Sequence, residues 1–421
     1  MSITTGYHTH EIMPLELSAP GEHAAHVNPA SSECVEDIAP SPGFSIARYR
    51  FAASLYFLAD GMIFGTWATL IPTFKTRFGL SEAEIGIALL GMVIGAMTSM
   101  PVAGHRIARH GSRANLIWLA PAFCIALVVL VAVPNFMALV AAATVFGALK
   151  GAYDVSVNAQ AIAIENAAGR PVMGTFQALW SIGGLVSALI TGIALHQGIA
   201  PMAIALTVST ALLLTVSLSA RGLMKGDAAG PQASEGFKLP NGRLLRIGIL
   251  ACMALFAEGV MMDWSAVYSR SVAGAAEWLA PLAYGVFCCC MAAGRLSGDA
   301  LVARFGSTAI LRLSGLSTTL GLLVIVTVHH WTATFLGLAF AGIGLANMVP
   351  ILFGAGGRAH EGGVGKGLAT VSMMGYFGFL AGPPVIGGAS HFIGLPGAFA
   401  LVLLFSAFIV ARGRAFLEPT T

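Results

Sequence analysis

Charged residues are scarce in this chain of 421 residues: they make up 10% of the sequence, while hydrophobic residues make up 57%. Soluble globular domains carry about 25% charged residues, and disordered chains are poor in apolar ones. The composition therefore excludes an ordinary soluble protein and a disordered one. The net charge is only +3 and the basic residues form no block, so we expect no nucleic-acid partner.

Signatures of enzymes and of bound metals are also missing from the sequence. It contains no GxxxxGK[ST] phosphate-binding loop and no HExxH zinc motif. Its six cysteines include no CxxC pair, and we interpret them as small apolar side chains. We therefore predict no enzymatic activity, no cofactor and no metal site.

Long apolar stretches occupy most of the chain, and a membrane-spanning helix needs about 20 such residues. Twelve stretches qualify, at 51–74, 83–104, 114–133, 136–160, 173–195, 201–219, 246–268, 281–298, 308–328, 332–355, 367–387 and 395–411. Residues 1–45 hold six acids and no Lys or Arg, which predicts a flexible cytoplasmic tail without a secretory signal. Pro383 and Pro384 predict a break or kink in the eleventh span.

The distribution of Lys and Arg predicts the orientation of these spans. With the N-terminus in the cytoplasm and alternating spans, sixteen Lys and Arg residues fall on the cytoplasmic side and three on the other side. Cytoplasmic loops carry an excess of basic residues in membrane proteins. We therefore predict a multi-pass protein of the cell inner membrane with both termini in the cytoplasm.

The two halves of the sequence repeat each other. The pentapeptide ARHGS at 108–112 recurs as ARFGS at 303–307, and the tripeptide ADG at 59–61 recurs as AEG at 257–259. We predict two six-helix bundles, at 46–220 and 246–412, joined by a cytoplasmic linker at 221–245 and followed by a second tail at 413–421. Parallel repeats of this kind place a solute site between the halves, near the middle of the membrane.

Several motifs resemble those of a known transporter family. The loop at 104–113, GHRIARHGSR, is similar to the G-x-L-x-D-R-x-G-x-R loop of the major facilitator superfamily, with Arg106 and Ala108 in place of the usual Leu and Asp. Segments resembling the YbjJ/MosC-like branch are GTWATLIP at 65–72, DVSVNA at 154–159, FQALWSIGG at 176–184 and EGVMMDWS at 258–265. The resemblance implies an all-α membrane fold of twelve helices in two pseudo-symmetric bundles, and transport by alternating access.

Four acids inside the predicted spans are the main candidates for transport chemistry: Asp60, Asp154, Glu258 and Asp263. A charge at the centre of a bilayer costs at least about 2.5–3.5 kcal/mol, so those present usually face a cavity or a partner. Asp60 and Glu258 are related by the repeat and lie near mid-membrane, where either could carry a proton. Asp263 cannot share a helix face with Glu258, which favours a gate or a cap.

Polar and aromatic neighbours complete the predicted solute or proton site. Lys150 and Asp154 are four residues apart on one span and can form an ion pair, and Asn158 follows one turn later. Indole rings beside acids suit a sugar ring or a cation, although helix packing explains them equally. The remaining members of the predicted site are Trp67, Gln177, Trp180 and Trp264.

A second group of residues is expected to act in gating, because the resemblance places it in the loops that close the cytoplasmic side. Arg295 and Asp299 are four residues apart at the inner end of the eighth span. The other members of this group are Gly104, Arg109, Gly111, Arg113 and Arg304.

These features together predict a secondary active transporter for a small polar solute, of the sugar, polyol or amino-polyol class. Its expected partners are this solute, the lipid bilayer and, as a candidate coupling ion, the proton. We expect a monomer. Two alternatives remain at this point: efflux of amphiphilic drug-like compounds, and a non-transporting membrane receptor on the same fold.

Overall fold

The computed structural model describes residues 45–170, 172–225, 242–359 and 364–417, besides Ser2. All regular elements in these ranges are helices. They are α1 (Ile46–Phe78), α2 (Glu82–His110), α3 (Ser112–Ala132), α4 (Phe136–Ala168), α5 (Met173–His196), α6 (Pro201–Ser219), a short 3₁₀ turn (Ala220–Gly222), α7 (Gly242–Ser271), α8 (Ala280–Phe305), α9 (Ser307–Thr327), α10 (Trp331–Ala359) and the continuous element Val364–Leu417. Most of the predicted tail and linker lies outside the described residues.

The last element consists of two helices that meet at Gly394. This residue has φ 69° and ψ 165°, which is not helical, and Pro396 follows it. The apolar part of the element runs from Thr370 to Gly413, 44 residues, about twice the length that one span needs. We name the two parts α11 (364–393) and α12 (395–417). Gly394 lies in the gap between the predicted spans 367–387 and 395–411, and Pro383 and Pro384, where the sequence also predicted a break or kink, have helical backbone.

The backbone repeats itself between the halves, as the sequence does. Three pairs of glycines with positive φ lie 195 or 196 residues apart, each at or within three residues after the end of a helix. They are Gly79 (65°) with Gly274 (71°), Gly111 (77°) with Gly306 (80°), and Gly198 (71°) with Gly394 (69°). Glycine adopts this left-handed region without the steric cost of a Cβ atom. The repeat confirms two pseudo-symmetric bundles, the N-half (α1–α6) and the C-half (α7–α12); their exact domain boundaries stay a prediction.

Helix pairs within and between the halves position the interior. Helix α1 packs on α5 and α2 on α4 in the N-half, while α7 packs on α11 and α8 on α10 in the C-half. The halves meet along α5 with α8 and along α2 with α11. Small residues allow this approach: a Cβ atom on Gly387 would lie 2.4 Å from the Cα atom of Gly86. Close helix contacts at small residues are typical of membrane bundles.

The two halves contact each other at one end of the bundle. We call the end that carries the α1–α2 and α7–α8 loops the outer end. Here the Lys75 Nζ atom lies 2.6 Å from the Glu82 Oε1 atom and 3.1 Å from the Ser271 Oγ atom, which joins α1 and α2 to α7. A Cβ atom on Gly192 of α5 would lie 2.9 Å from the carbonyl oxygen of Trp278. Both halves therefore touch at the outer end in this conformation.

Candidate functional site

Three charged side chains of the N-half form an ion-pair cluster at mid-depth. The Lys150 ammonium on α4 lies 3.2 Å from the Asp60 Oδ2 atom on α1 and also pairs with Asp154, one turn further along α4. Lys150 and Asp154 thus form the ion pair that their spacing predicted. It adds Asp60 as a third member, because the packing of α1 against α4 brings a residue 90 positions away into reach.

These three groups differ in their access to solvent. The side chain of Asp60 is 1% exposed, that of Lys150 is 11% exposed, and that of Asp154 is 24% exposed. Asp60 is therefore the member of the cluster most shielded from solvent. Its Oδ1 atom has no hydrogen-bond partner among the residues that the structure describes. Asp154 is the carboxylate of the cluster that is most exposed to solvent.

Aromatic rings surround the ammonium group of Lys150. Its Nζ atom lies 5.6 Å from the ring centre of Phe64 and 5.7 Å from that of Trp180. A cation at this distance from an aromatic face is attracted by the ring quadrupole. Trp180 reaches this position because Gly61 lets α1 and α5 touch: a Cβ atom there would lie 2.0 Å from the Trp180 carbonyl oxygen. The sequence placed Trp180 in the site but did not single out Phe64, one turn after Asp60.

The other two tryptophans of the predicted site are more deeply packed than Trp180, which is itself only 7% exposed. Trp67 is 2% exposed, and its ring centre lies 5.5 Å from that of Phe74 and 6.1 Å from that of Phe146. Trp264 is fully buried, and its indole Nε1 donates to the carbonyl oxygen of Pro383 at 3.1 Å. Helix packing explains both residues in this conformation, as the alternative interpretation of the sequence proposed.

This difference between the tryptophans gives a first prediction. Replacing Trp67 by alanine should cost about 3–5 kcal/mol of stability, because it empties a packed site. It should leave the apparent affinity for solute within about twofold, whereas Trp180→Ala removes a ring that holds the Lys150 ammonium group and should weaken solute binding about threefold to fivefold. Thermal unfolding of the purified variants, with and without solute, measures both quantities. A loss of affinity in Trp67→Ala alone would reverse our assignment of the two rings.

The C-half contributes an ion pair that also crosses to the N-half. The Arg295 guanidinium on α8 lies 2.7 Å from the Glu258 Oε1 atom on α7. It also donates to the Ser181 Oγ atom at 2.9 Å and to the Gln177 carbonyl oxygen at 3.4 Å, both on α5. Arg295 therefore ties the acid of one half to a helix of the other.

Arg295 does not pair with Asp299, the neighbour with which the sequence analysis grouped it. Spacing along α8 grouped it with Asp299 as part of an inner gate. The structure instead directs its side chain to Glu258, because α8 packs against both α7 and α5 and presents this face to the interior. Arg295 thus belongs to the central cluster, while Asp299 is exposed near the inner end of α8.

Two amides lie between the charged groups of the two halves and contact each other and nearby backbone carbonyl oxygens. The Asn158 side chain donates to the Asp154 carbonyl oxygen at 2.9 Å, and the Gln177 side chain donates to the Asn158 Oδ1 atom at 3.3 Å. Because the backbone of Gln177 accepts from Arg295, polar contacts run from Asp154 to Glu258 across the interface. Ser181, one turn after Gln177, was missed by the sequence analysis; its spacing on the same face was the available signal.

Asp263 stands apart from these ion pairs. Its side chain is 5% exposed, and its Oδ1 atom finds no hydrogen-bond partner within the described part of the chain. It lines a cavity between the halves together with Lys150 and Asp154. Asp60 and Glu258, although described, are not part of the lining. The sequence placed Asp263 on a different face from Glu258, which agrees with this arrangement.

The remaining residues of the predicted gate lie at the inner end of the bundle. Gly111 and Gly306 end α2 and α8 with positive φ, and the N–H of Gly111 donates to the Ile107 carbonyl oxygen. Arg304 lies over the ring of Phe305 at 5.2 Å. Arg109 and Arg304 are exposed, Arg113 is half-buried, and a Cβ atom on Gly104 would meet no described neighbour within 4 Å. Their role in gating stays a prediction.

The family comparison agrees with this architecture. The family model described as Major Facilitator Superfamily matches residues 52–360, well over half of the chain. The chain belongs to this superfamily. It is therefore a multi-pass membrane protein and a secondary transporter, not an enzyme, and it binds a small-molecule solute within the membrane.

Individual relatives place the chain more narrowly. It is 33% identical over 377 residues to an uncharacterised MFS-type transporter of Yersinia pestis, covering 90% of this chain and 97% of that protein. It is 32% identical over 367 residues to the membrane protein MosC of Rhizobium meliloti, covering 87% of this chain and 89% of that protein. These matches confirm the MosC-like branch of the superfamily.

Solved structures with low sequence identity share the fold. A point variant of the nucleoside transporter NupG superimposes with a TM-score of 0.71 at 13% identity, covering 88% of this chain and all of that one. A bacterial homologue of the lysosomal transporter Spinster, in an inward-facing and occupied conformation, gives 0.63 at 13% identity, covering 87% and 97%. At this identity the likeness shows the fold and does not extend to the solute.

Proposed function

We propose that this transporter carries a small polar solute, neutral or cationic, of the sugar, polyol or amino-polyol class. The central charges carry the proposal. Four carboxylates, those of Asp60, Asp154, Glu258 and Asp263, lie in the interior with only two cations, Lys150 and Arg295, in the described part of this region. Two negative charges in excess repel an anionic solute and attract hydrogen-bond donors or a cation.

We further propose that transport is coupled to protons through Glu258. This acid is buried, it is paired with Arg295, and that same arginine holds α5 of the opposite half. When Glu258 takes up a proton it loses its attraction for Arg295, so the contact between the halves weakens. Protonation on one side of the membrane and release on the other would thus drive the exchange between conformations. The supporting observation is the sharing of Arg295 between the two halves.

The proposed site of action is the cell inner membrane, with both termini in the cytoplasm. Support comes from the sixteen-to-three distribution of basic residues over the two sides. In this orientation the outer end, where Lys75 contacts Ser271 of the other half, faces away from the cytoplasm. The described conformation would then be one in which the two halves meet on the side away from the cytoplasm.

A second candidate function, efflux of amphiphilic compounds, is favoured by one observation. The walls of the central cavity are largely apolar, with Phe64, Leu89, Met92, Phe379 and Leu380 among them. The volume of about 50 Å³ in this conformation holds neither a drug-sized compound nor a whole sugar, so the volume does not separate the two functions. The buried ion pairs suit a polar solute better. A receptor that binds without transport would share the site but lack solute flux.

A thermal-stability screen of the purified protein separates these functions, because a ligand that binds only the folded state raises the unfolding temperature. Sugars, polyols, amino sugars and amphiphilic cations form the panel. We expect a saturable rise with one polyol or sugar class, reduced at least tenfold in affinity by Asp154→Asn. A rise with amphiphilic cations alone would support efflux, and binding without uptake into proteoliposomes would support a receptor.

A further inference from the structure

The central cavity is lined by carboxylates from both halves. Asp154 of α4 comes from the N-half and Asp263 of α7 from the C-half, and Lys150 is the cationic side chain that lines the same space. The volume of about 50 Å³ exceeds what one water molecule needs and is too small for a whole sugar. The space therefore suits a single small group rather than a complete organic solute.

Asp263 has the least compensated charge among the interior acids. Asp60, Asp154 and Glu258 each have a cation within salt-bridge distance, whereas the structure gives Asp263 no ion pair among the described residues. One of its oxygens is buried without a hydrogen-bond partner in these same ranges. An isolated carboxylate at this depth is costly unless a cation or a proton joins it. Facing it around the cavity are Lys150 and Asp154 of α4 and Tyr376 of α11.

We propose that Asp154 and Asp263 form a binding site for one monovalent cation between the two halves. The bound cation is an alkali ion or the ammonium group of an organic solute. Only the ammonium group of a solute rests on the proposed function. A divalent ion is disfavoured because Lys150 pairs with Asp154 and lines the same cavity, so that a second positive charge on the ion would be repelled by the ammonium group. The monovalent ion is held by two carboxylates and the water molecules that accompany it.

The placement of one carboxylate on each half links occupancy to conformation. Lys150 compensates only part of the charge of Asp60 and Asp154, so without a further cation the net negative charge of this cluster repels the carboxylate of Asp263 and favours separation of α4 from α7. With a cation between them, each carboxylate is attracted to the same charge, which favours their approach. Binding therefore stabilises the conformation in which the two helices lie close. A cation that binds both conformations equally would have no such effect.

Thermal unfolding of the full-length purified protein in detergent tests the site. Sodium, potassium and methylammonium chloride are titrated separately, with choline chloride keeping the ionic strength constant. We expect a saturable rise in the unfolding temperature with at least one of the three cations. Asp263→Asn should raise the half-saturating concentration at least tenfold. Glu277→Gln, at an exposed acid of the α7–α8 loop, removes the same charge outside the cavity and should leave it unchanged.

Each outcome of this titration is decisive. A response to sodium or potassium identifies an alkali ion, and a response to methylammonium identifies the ammonium group of a solute. If Asp263→Asn does not fold, Asp154→Asn, at a side chain that is 24% exposed, carries the same expectation. No saturable response in the wild type, or an unchanged response in the asparagine variants, overturns the proposal. The assay uses no polyol and no proton gradient, so its failure is distinct from failure of the proposed function.

Discussion

Replacing Lys150 by methionine is expected to abolish transport and to cost about 3–5 kcal/mol of stability. The ammonium group of Lys150 is the cation shared by Asp60 and Asp154, and the side chain of Asp60 is 1% exposed. Methionine has a similar length but leaves both carboxylates without a counterion in a site that excludes most water. The unfolding temperature of the purified variant and uptake into proteoliposomes measure the two effects.

Two further variants control this experiment. Lys150→Met combined with Asp154→Asn removes one anion along with the cation and should recover at least about 1 kcal/mol of the loss. Lys75→Met breaks the ion pair with Glu82 at the outer end, where the side chains are 21% and 30% exposed, and should cost at most about 1 kcal/mol. Equal losses of stability in Lys75→Met and Lys150→Met would show that the ion pairs of Lys150 with Asp60 and Asp154 contribute no more than an exposed ion pair.

Replacing Glu258 by glutamine is expected to reduce proton-driven uptake at least 100-fold while solute exchange at equilibrium persists. Glutamine keeps the size of the side chain and can still accept from Arg295, but it cannot take up and release a proton. Uptake driven by a pH gradient and exchange between equal solute concentrations, both measured in proteoliposomes, separate the two activities. Proton-driven uptake that remains unchanged at every pH would exclude Glu258 as the coupling acid.

The partner of Glu258 provides the matched control. Arg295→Met leaves Glu258 buried without its cation and removes the contact with Ser181 on α5. We expect this variant to be less stable than wild type by about 3–5 kcal/mol, and the double variant Glu258→Gln with Arg295→Met to recover part of that loss. Independent, additive effects of the two substitutions would contradict a functional ion pair.

Much of the fold could be predicted from the sequence because apolar spans and their repeat are local patterns. The twelve predicted spans coincide with the helices to within several residues, and the repeat of the loop at 104–113 reappears as Gly111 and Gly306 with matching φ. The break at Gly394 lies in the gap between the predicted spans 367–387 and 395–411, whereas the additional break or kink predicted at Pro383 and Pro384 falls on residues that are helical. Proline removes a hydrogen bond, but the surrounding helix tolerated this loss, while glycine supplied the left-handed residue that a turn requires.

The central site was only partly predictable because most of its contacts join distant parts of the chain. Spacing along one helix predicted the pair of Lys150 and Asp154, which is local. Spacing could not show that Arg295 would turn to Glu258 instead of Asp299, or that Asp60 would share Lys150, since both depend on how helices pack. The same limit explains why Trp67 and Trp180, alike in sequence context, have different surroundings.

The most direct test of the proposed mechanism is the movement of protons that accompanies solute entry. Proteoliposomes loaded with a pH-sensitive dye receive the polar solute identified by the stability screen, and the internal pH is recorded. We predict a change of internal pH that depends on the solute, that is retained in Glu277→Gln and that is absent in Glu258→Gln. Solute entry without any change of internal pH in the wild-type protein would contradict proton coupling through the central ion pairs.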